Sequence, residues 1–482
     1  MKNNEVFIDT FNTTLPKVSP AGFSLETKVK LPTILEENVG NFCPICEKTI
    51  FSNLLEIDGK VYLEKNCCTK ELVFLENDVE FFKNFKSNRE VEPLVSSPKN
   101  YKEWLEENPN YGTTSFFLHI TARCNQNCPI CYEKFDNYLN PDDNYLNSNA
   151  EASLEEIKRV IKNYKSREIL ITGGEPTLRK DLFEIIKIIK DSGNHPAIIT
   201  NGLKLEDKNY VKKLKKAGLS SGIGIQFDGF NKAANIKLRG QDFLEKRLKA
   251  LKNIEEVCNP KRLQLLSVIE RGLNEEEMSK IIQFGLENKA INRVNFLALK
   301  PPENENKTET TISDLIKIME REGYFDREYF LEMVKMYRNI YEVTRKIFKG
   351  TLLEGCFFKR LPGVFNSIHF KKGITPPQLL FQKEEIEKIN KILFKAMSKK
   401  SRIASFCVLL KNSSELIKSP LTMLLKEIVF MFKKTTLSPN KLLGVGFYSV
   451  CDAKKTFLKS PRCVGMITLL SALPPLAVCI SD

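Results

Sequence analysis

Three cysteines in the second hundred residues have the spacing of a metal-binding motif. Cys124, Cys128 and Cys131 are arranged as C-x3-C-x2-C and directly follow the apolar run 115–120. A cubane iron–sulfur cluster normally takes four thiolates, so a cluster held by three would leave one iron open to a substrate or cofactor. The sequence therefore predicts a [4Fe–4S] cluster with an open coordination position at the end of a strand.

The overall cysteine and histidine content also favours metal over disulfides. The chain has 482 residues, 13 cysteines and 3 histidines, and it opens on a polar stretch, residues 1–6, rather than on a secretory signal. An odd number of cysteines in a long chain of this kind is a poor match to a disulfide framework. We expect a cytoplasmic protein whose metal centres are ligated mostly by thiolates.

A second cysteine group lies nearer the N-terminus. Cys43 and Cys46 form a C-x2-C pair, and Cys67 and Cys68 follow an Asp58-Gly59 dipeptide that is a typical β-hairpin turn. Four thiolates on two facing turns would suit a tetrahedral Zn or Fe ion. Two alternatives stay open: a site that uses only one of the adjacent Cys67 and Cys68, and a chance C-x2-C beside two buried thiols.

The elements that must position the cysteine triplet follow an alternating pattern. Apolar strand-like runs at 115–120, 168–172, 196–200, 221–228, 262–269 and 293–299 alternate with helical patterns at about 153–165, 181–191, 207–217, 240–255 and 275–288. Such βα repeats predict a parallel sheet whose functional loops lie at the carboxyl ends of the strands. The predicted fold class is α/β, an open partial (β/α)6 barrel, since six strands are too few for a closed eight-stranded one.

Domain limits can be placed on the same patterns. We expect an N-terminal arm over residues 1–40, a cysteine-rich β-hairpin metal module over 41–97, the partial barrel over 112–310, a helical segment over 311–350 and a basic, cysteine-bearing extension over 351–482. A hydrophobic content of 42% and a charged content of 28% are those of an ordinary globular protein, so disorder is not expected.

Other motifs at the predicted strand ends resemble those of the radical S-adenosylmethionine (SAM) superfamily. Gly173-Gly174-Glu175-Pro176 ends the second strand as a GGEP motif, Thr200-Asn201-Gly202 ends the third, and Gln226-Phe227-Asp228-Gly229 ends the fourth. Together with the cysteine triplet, they identify the chain as a member of that superfamily. The resemblance implies that SAM chelates the open iron and is cleaved reductively to a 5′-deoxyadenosyl radical, with electrons from a ferredoxin-type or flavodoxin-type protein.

The same resemblance implies roles for individual residues. The backbone at the second strand end and the Glu175 carboxylate would hold the SAM ammonium group, and Ile130 would pack on the adenine. Arg239 could pair with the SAM carboxylate, for which a guanidinium is well suited. The cofactor-binding residues expected in this way are Ile130, Gly173, Gly174, Glu175, Pro176, Asn201, Gln226, Asp228 and Arg239.

A narrower resemblance covers much of the chain. Residues 43–67 are similar to the rubredoxin-like module of the radical SAM enzymes typified by tetraether lipid synthase and the methanopterin-precursor methylases, and residues 451–479 are similar to the C-terminal cysteine region of that group. This similarity implies auxiliary iron–sulfur clusters, with Cys356, Cys463 and Cys479 as the candidate ligands. Cys258 and Cys407 are expected to be buried thiols.

Charge is concentrated in the C-terminal extension. Residues 351–482 contain 21 Lys and Arg against 8 Asp and Glu, whereas residues 1–350 contain 53 against 52. This asymmetry predicts an anionic partner, although a solvated Lys-rich surface is the alternative. The uncharged run 463–480 is long enough to cross a membrane, but Pro474-Pro475 would break the helix.

Four functions are compatible with these features. The leading hypothesis is radical chemistry on a lipid chain, with carbon–carbon coupling and peripheral contact with an anionic membrane. The first alternative is radical methylation of a pterin precursor. Radical modification of RNA is a further alternative, for which no RNA-binding module can be recognised. A degenerate, non-enzymatic cluster-binding protein is the fourth.

Overall fold

The chain forms two β-sheets with helices packed against them. The computed structural model describes residues 32–42, 49–68, 70–89, 115–131, 151–163, 168–219, 222–258, 263–299, 309–348, 367–422, 441–449 and 465–468. A four-stranded antiparallel sheet comes first in the chain, and a ten-stranded sheet follows it. The larger sheet carries the cysteine triplet.

The N-terminal sheet is built around the predicted hairpin. It contains β1 (Thr33–Phe42), β2 (Thr49–Ile57), β3 (Lys60–Asn66) and β4 (Lys70–Glu76), followed by helix α1 (Val79–Arg89). Asp58 and Gly59 have φ angles of 51° and 76° and connect β2 to β3, which confirms the Asp-Gly turn. Because β1 begins at Thr33, the strand already starts inside the stretch that the sequence predicted to be an arm.

The ten-stranded sheet contains the six predicted strands and four more. Its strands are β5 (Ser115–His119), β6 (Glu168–Thr172), β7 (His195–Thr200), β8 (Gly222–Gln226), β9 (Leu263–Ile269), β10 (Ile291–Ala298), β11 (Ser367–Lys371), β12 (Gln378–Leu379), β13 (Leu442–Ser449) and β14 (Gly465–Thr468).

Strands β5 to β10 lie side by side in chain order and are parallel, as predicted. The C-terminal extension adds the others: β13 pairs parallel with β10, β14 pairs parallel with β5, and β11 and β12 are antiparallel. All six strands predicted for the core are present, and the four strands of the extension were not predicted. The partial-barrel shape stays a prediction.

Helices follow most strands at the predicted places. They are α2 (Leu154–Asn163), α3 (Leu182–Asp191), α4 (Lys208–Ala217), α5 (Lys232–Arg239), α6 (Leu244–Val257), α7 (Glu277–Glu287), α8 (Ile312–Arg321), α9 (Arg327–Phe348), α10 (Lys383–Met397), α11 (Arg402–Lys411) and α12 (Ser413–Lys418). Ser153 and Glu156 cap α2 reciprocally, as their spacing predicts.

The two faces of the parallel sheet differ in polarity. One face is apolar and packs against the helices, with side chains such as Ile171, Ile198, Ile225, Leu265 and Phe296. Alternate positions point to the opposite face, because side chains alternate along a strand. That face bears Gln264, Arg293 and Asn295, and Asn295 Nδ2 donates to Gln264 Oε1 at 3.1 Å. The second face of the sheet therefore carries polar groups on β9 and β10.

The N-terminal sheet is attached to α8 and α9 by buried polar contacts. Ser313 Oγ donates to Glu76 Oε1 at 2.6 Å, and Asn77 Nδ2 donates to Asp314 Oδ2 at 2.7 Å. Phe81 of α1 stacks on Phe330 with ring centroids 6.2 Å apart. These contacts join the small sheet to the helices that follow β10.

Candidate functional site

The cysteine triplet lies on the loop that leaves the carboxyl end of β5. Cys124 is exposed, Cys131 is half-buried and Cys128 is buried, and none of the three forms a disulfide. Gln126 N donates to Cys124 Sγ at 3.4 Å, and Cys128 Sγ donates to Gln126 Oε1 at 3.3 Å. Although the residue as a whole is exposed, partial desolvation of its sulfur, helped by the nearby Glu175 carboxylate, raises the pKa of the Cys124 thiol to about 11. A bound metal would reverse this shift, because a coordinating thiol is deprotonated.

The GGEP motif clasps the cysteine loop through its backbone. Gly174 N donates to Thr121 O and Glu175 N donates to Arg123 O, both at 2.7 Å. A Cβ atom on Gly174 would lie 2.4 Å from Arg123 O, and one on Gly173, whose φ is 146°, would lie 2.4 Å from Thr121 O. Only glycine fits at either position, so the two glycines fix the loop to the end of β6.

The Glu175 carboxylate forms hydrogen bonds within the protein. Its carboxylate accepts hydrogen bonds from Thr177 N and Oγ1, from Thr200 Oγ1 at 2.7 Å and from Asn201 N at 2.8 Å. The group is 1% exposed, and burial raises its pKa while these hydrogen bonds oppose the shift. Glu175 therefore joins the ends of β6 and β7. Its predicted contact with an ammonium group stays a prediction.

Two of the other predicted residues also brace the strand ends. Pro176 is buried and begins a short 3-10 turn that the Glu175 side chain caps. Asn201, at the end of β7, donates from Nδ2 to Asn125 Oδ1 of the cysteine loop at 2.8 Å. The loop is thus held by the ends of two neighbouring strands.

Arg239 and Asp228 form a buried, two-pronged ion pair. Arg239 Nε and Nη2 donate to the two Asp228 carboxylate oxygens at 2.7 and 2.8 Å, and Val268 N donates to Oδ1 at 2.9 Å. Burial alone would raise the pKa of Asp228, but Arg239 and the nearby Arg247 lower it. Arg239 thus pairs with Asp228 through two hydrogen bonds, and its predicted pairing with a SAM carboxylate stays a prediction.

The end of α5 that carries Arg239 lies against the cysteine loop. A Cβ atom on Gly240, the next residue, would be 3.4 Å from Asn127 O. Burial would lower the pKa of Arg239, but the Asp228 carboxylate and the Cys128 sulfur together raise it. A guanidinium group therefore stands next to one of the predicted cluster ligands.

Arg247 was missed by the sequence analysis. It is 1% exposed, and its Nη2 donates to Gln226 Oε1 at 3.0 Å while its Nε approaches Asn201 O at 3.4 Å. Burial lowers the pKa of Arg247. The available signal was the position of Arg247, which precedes Leu248 and lies on the buried side of α6. A charge at such a position needs partners within the protein.

Ile130 packs in a small apolar cluster beside the site. Leu238, Val268 and Leu299 form this cluster, and Ile130 contacts it from the cysteine loop. An apolar surface next to the cluster loop is compatible with the predicted adenine contact. That contact stays a prediction.

The accessory cysteines are described only in part. Cys67 and Cys68 are exposed after β3, with their sulfurs 3.9 Å apart, whereas Cys43, Cys46, Cys356, Cys463 and Cys479 lie outside the described residues. Cys258 is half-buried. Cys407 is exposed, so the prediction that it is a buried thiol was wrong.

The strand pairing brings the residues that flank the two cysteine segments to one end of the small sheet. Phe42 pairs with Thr49 and Asn66 pairs with Lys70, so both connections start from that end. Within the described ranges, no three Cys, His, Asp or Glu side chains are grouped around a point where one metal ion could bind. The N-terminal metal site stays a prediction.

The described helices include none that is both long enough and apolar enough to cross a membrane. Residues 463–480, for which the sequence analysis rejected a membrane span, lie mostly outside the described residues, so that rejection stays a prediction.

Comparisons with known proteins identify the central part of the chain. Residues 118–285 match the family described as the radical SAM superfamily. The chain is 32% identical over 310 residues to a 7,8-dihydro-6-hydroxymethylpterin dimethyltransferase of Methanocaldococcus jannaschii, with 60% of this chain and 59% of that protein covered. It is 27% identical over 238 residues to a probable GTP 3′,8-cyclase of Pyrococcus abyssi, with 45% and 72% covered. The chain thus spans less than two thirds of the pterin enzyme.

Among solved structures, Streptococcus suis SuiB bound to S-adenosylmethionine is similar at 16% identity and a TM-score of 0.35, over 61% of this chain and 68% of that one. A TM-score at this level adds nothing to the assignment, which rests on the sequence match and on the clasped cysteine loop. Residues 118–285 are therefore a radical SAM domain, of the superfamily whose enzymes use a [4Fe–4S] cluster and SAM.

Proposed function

We propose that this protein reductively cleaves SAM at a [4Fe–4S] cluster bound by Cys124, Cys128 and Cys131 and abstracts hydrogen from an unactivated carbon. The observation that carries the proposal is the close backbone contact and hydrogen bonding between the cysteine loop and the Gly173-Gly174 pair. It holds a three-thiol loop at the carboxyl ends of parallel strands, where ligands bind in sheets of this kind.

The donor set fits the cluster. The loop is fixed by backbone hydrogen bonds and by Asn125, so its three thiols are not needed to hold it in place. None of the three is in a disulfide, and three thiolates would leave one iron for another ligand. When bound, the cluster and SAM supply the electron transfer and the radical, while the protein supplies orientation and shelter from water.

The surrounding residues perform those tasks. The Gly173-Gly174 backbone sets the height of the loop over the sheet, and the apolar cluster with Leu238 and Val268 excludes water beside Ile130. The Arg239 and Arg247 guanidinium groups lie near the Asp228 carboxylate beside the cysteine loop, where a guanidinium is suited to an anionic group.

For the substrate, we propose methylation or a related radical reaction on a pterin-like heterocycle. The M. jannaschii relative is by name a dimethyltransferase of 7,8-dihydro-6-hydroxymethylpterin. The polar face of the sheet supports this choice: Arg293 donates to Asn295 Oδ1 at 2.8 Å and to Ser367 Oγ and Tyr448 OH at 2.6 Å. Amide, hydroxyl and guanidinium groups in such an array suit the donor and acceptor edge of a heterocycle.

Carbon–carbon coupling on a lipid chain remains the second candidate. The observation that favours it is the positive charge of residues 351–482, which suits anionic headgroups. The relatives named above do not act on lipids by name. We therefore place the pterin-type substrate first, in reverse of the order that the sequence suggested.

The test is SAM cleavage by anaerobically reconstituted protein with a strong reductant. We expect 5′-deoxyadenosine to form and to increase with a 7,8-dihydropterin. Cys128→Ala should abolish the product, whereas Cys407→Ala, which removes an exposed thiol elsewhere, should leave it unchanged. Stimulation by diether or diacyl lipid instead of pterin would favour the second candidate. Product formation by Cys128→Ala would refute the cluster assignment.

We further propose a Zn or Fe site formed by Cys43, Cys46 and the Cys67–Cys68 pair. The strand ends that flank both cysteine segments lie at the same end of the small sheet, which supports this metal site. Metal analysis of Cys124→Ala/Cys128→Ala/Cys131→Ala protein should still find about one metal ion per chain. A metal-free triple variant would contradict the site.

A further inference from the structure

Helix α11 presents an apolar stripe to solvent. Ile403, Phe406 and Leu410 are 74%, 43% and 55% exposed, and Cys407 between them is exposed as well. With about 100° of rotation per residue, these four positions lie on one side of the helix. Soluble proteins rarely leave a contiguous stripe of this kind uncovered without a binding role.

The other side of the same helix is packed. Ser405 is fully buried, and Val408 and Leu409 pack against the main core. The helix is therefore held in place by its inner side, and its outer apolar side is displayed on a fixed support. Ile417 of α12, 66% exposed, and Phe394 of α10, also 66% exposed, add apolar surface on the neighbouring helices.

The surroundings of this stripe are strongly basic. From Lys388 to Lys418 the chain carries eight Lys and Arg and one acidic residue, Glu415, which pairs with Lys388 at 3.2 Å. On the helical wheel Arg402 and Lys411 fall on opposite edges of the apolar stripe, and on α10 Lys391 lies next to Phe394, about one turn before it. An apolar strip with basic margins is the pattern of a helix that lies in a membrane interface.

We propose that helices α10 to α12 form a docking surface for anionic phospholipid bilayers, with Ile403, Phe406 and Leu410 entering the headgroup region. Charge complementarity selects this partner: the basic margins match anionic headgroups, and aliphatic side chains gain free energy in acyl chains. RNA would match the charge but would leave Ile403 and Leu410 in water. The surface shares no residue with the proposed SAM site, so the docking proposal does not depend on the reaction proposed above.

The test is vesicle flotation with the full-length reconstituted protein. Wild-type protein should float with vesicles of phosphatidylcholine and phosphatidylglycerol in equal parts, and weakly with phosphatidylcholine alone. Ile403→Gln/Phe406→Gln/Leu410→Gln should weaken the partition by at least about tenfold, since three apolar side chains leave the interface. Lys395→Gln/Lys400→Gln/Lys411→Gln should lower it at low salt and have little effect at high salt.

Phe51→Gln/Leu72→Gln is the matched control. It removes exposed apolar side chains, 59% and 42% exposed, from the N-terminal sheet and should leave flotation unchanged. All variants should keep the thermal midpoint and basal SAM cleavage of the wild type. Absence of wild-type flotation, or equal flotation of the α11 variant, would overturn the proposal. So would a change from dimer to monomer in the α11 variant with unaltered flotation, because the stripe would then join two copies of this chain.

Discussion

Arg239 donates from Nε and Nη2 to both carboxylate oxygens of Asp228, at 2.7 and 2.8 Å, and both groups are buried. Asp228 also accepts from Val268 N at 2.9 Å. The pair thereby ties the end of α5 to the ends of β8 and β9, directly beside the cysteine loop. Arg239 is in this arrangement a positioning residue for the loop.

Asp228→Asn should destabilise the protein by about 3–5 kcal/mol, because it leaves a buried guanidinium without its counter-charge. Chemical denaturation of the reconstituted protein measures the change. Glu256→Gln is the control: it breaks the Lys208–Glu256 pair, which is 2.6 Å long but exposed, and should have no measurable effect. Equal effects of the two substitutions would contradict the structural role of the buried pair.

Gly174→Ala should prevent cluster assembly. The new Cβ would lie 2.4 Å from Arg123 O and 2.6 Å from Ala122 O, so the cysteine loop would have to move away from β6. We expect the iron and sulfide content per chain to fall to a small fraction of the wild-type value.

Gly193→Ala separates this clash from simple backbone strain. Gly193 has a φ of 82° but no atom within 4 Å of its Cβ position. Its replacement should cost about 1 kcal/mol of stability and leave the iron content unchanged. Full iron content in Gly174→Ala would show that the clasp does not position the cluster loop.

The sequence predicted the six central strands because apolar runs alternate with amphipathic helices in that region. It did not predict β13 or β14. Residues 442–449 contain two glycines, which weaken a strand signal, and β13 is stabilised by β10 and β11, which are distant in sequence. Sheet membership of this kind depends on tertiary pairing and has no local signature.

For the site, the sequence predicted residue types and strand ends but not every partner. Glu175, Asn201 and Arg239 are all where the motifs put them, yet their hydrogen bonds go to Thr200, Asn125 and Asp228. Burial decides these contacts, since a charged group removed from water must find partners within the protein. Arg247 was missed because its partners, Asn201 and Gln226, lie at the ends of β7 and β8, which are distant from it in sequence.

Glu76→Gln should alter the pH dependence of stability. Burial raises the pKa of Glu76 to about 7, against hydrogen bonds from Ser313 and Thr311. The folded state therefore keeps a proton that the unfolded state loses near pH 4.5, so wild-type stability falls by about 1.4 kcal/mol per pH unit as pH rises from 4.5 to 7. The variant should lose this slope and be more stable than wild type at pH 8, as urea denaturation across pH would reveal.

His369→Gln should remove a slope of opposite sign. Burial, helped by Arg293, lowers the pKa of His369 to about 3, and Tyr337 OH lies 3.1 Å from its Nδ1. Below about pH 6.5 His369 binds a proton in the unfolded chain but not in the folded state, so the free energy of unfolding falls as pH drops from 6.5 to 3. Between pH 4.5 and 6.5 this slope opposes that of Glu76. A variant whose stability does not improve on acidification relative to wild type would contradict the assignment.

Glu175→Gln should lower stability by about 2–3 kcal/mol and weaken SAM binding in parallel. The amide cannot accept all the hydrogen bonds that Thr177, Thr200 and Asn201 donate, and its own NH2 faces these donors. Thr200→Val removes one of them without touching the carboxylate and should reproduce part of both effects. A direct contact between Glu175 and the ammonium group would give another result. Glu175→Gln would then bind SAM more weakly, as measured by calorimetry, but its stability would be unchanged. Thr200→Val would have no effect on SAM binding. Parallel losses in both variants would establish Glu175 as the link that sets the distance between β6 and β7 under the cluster loop.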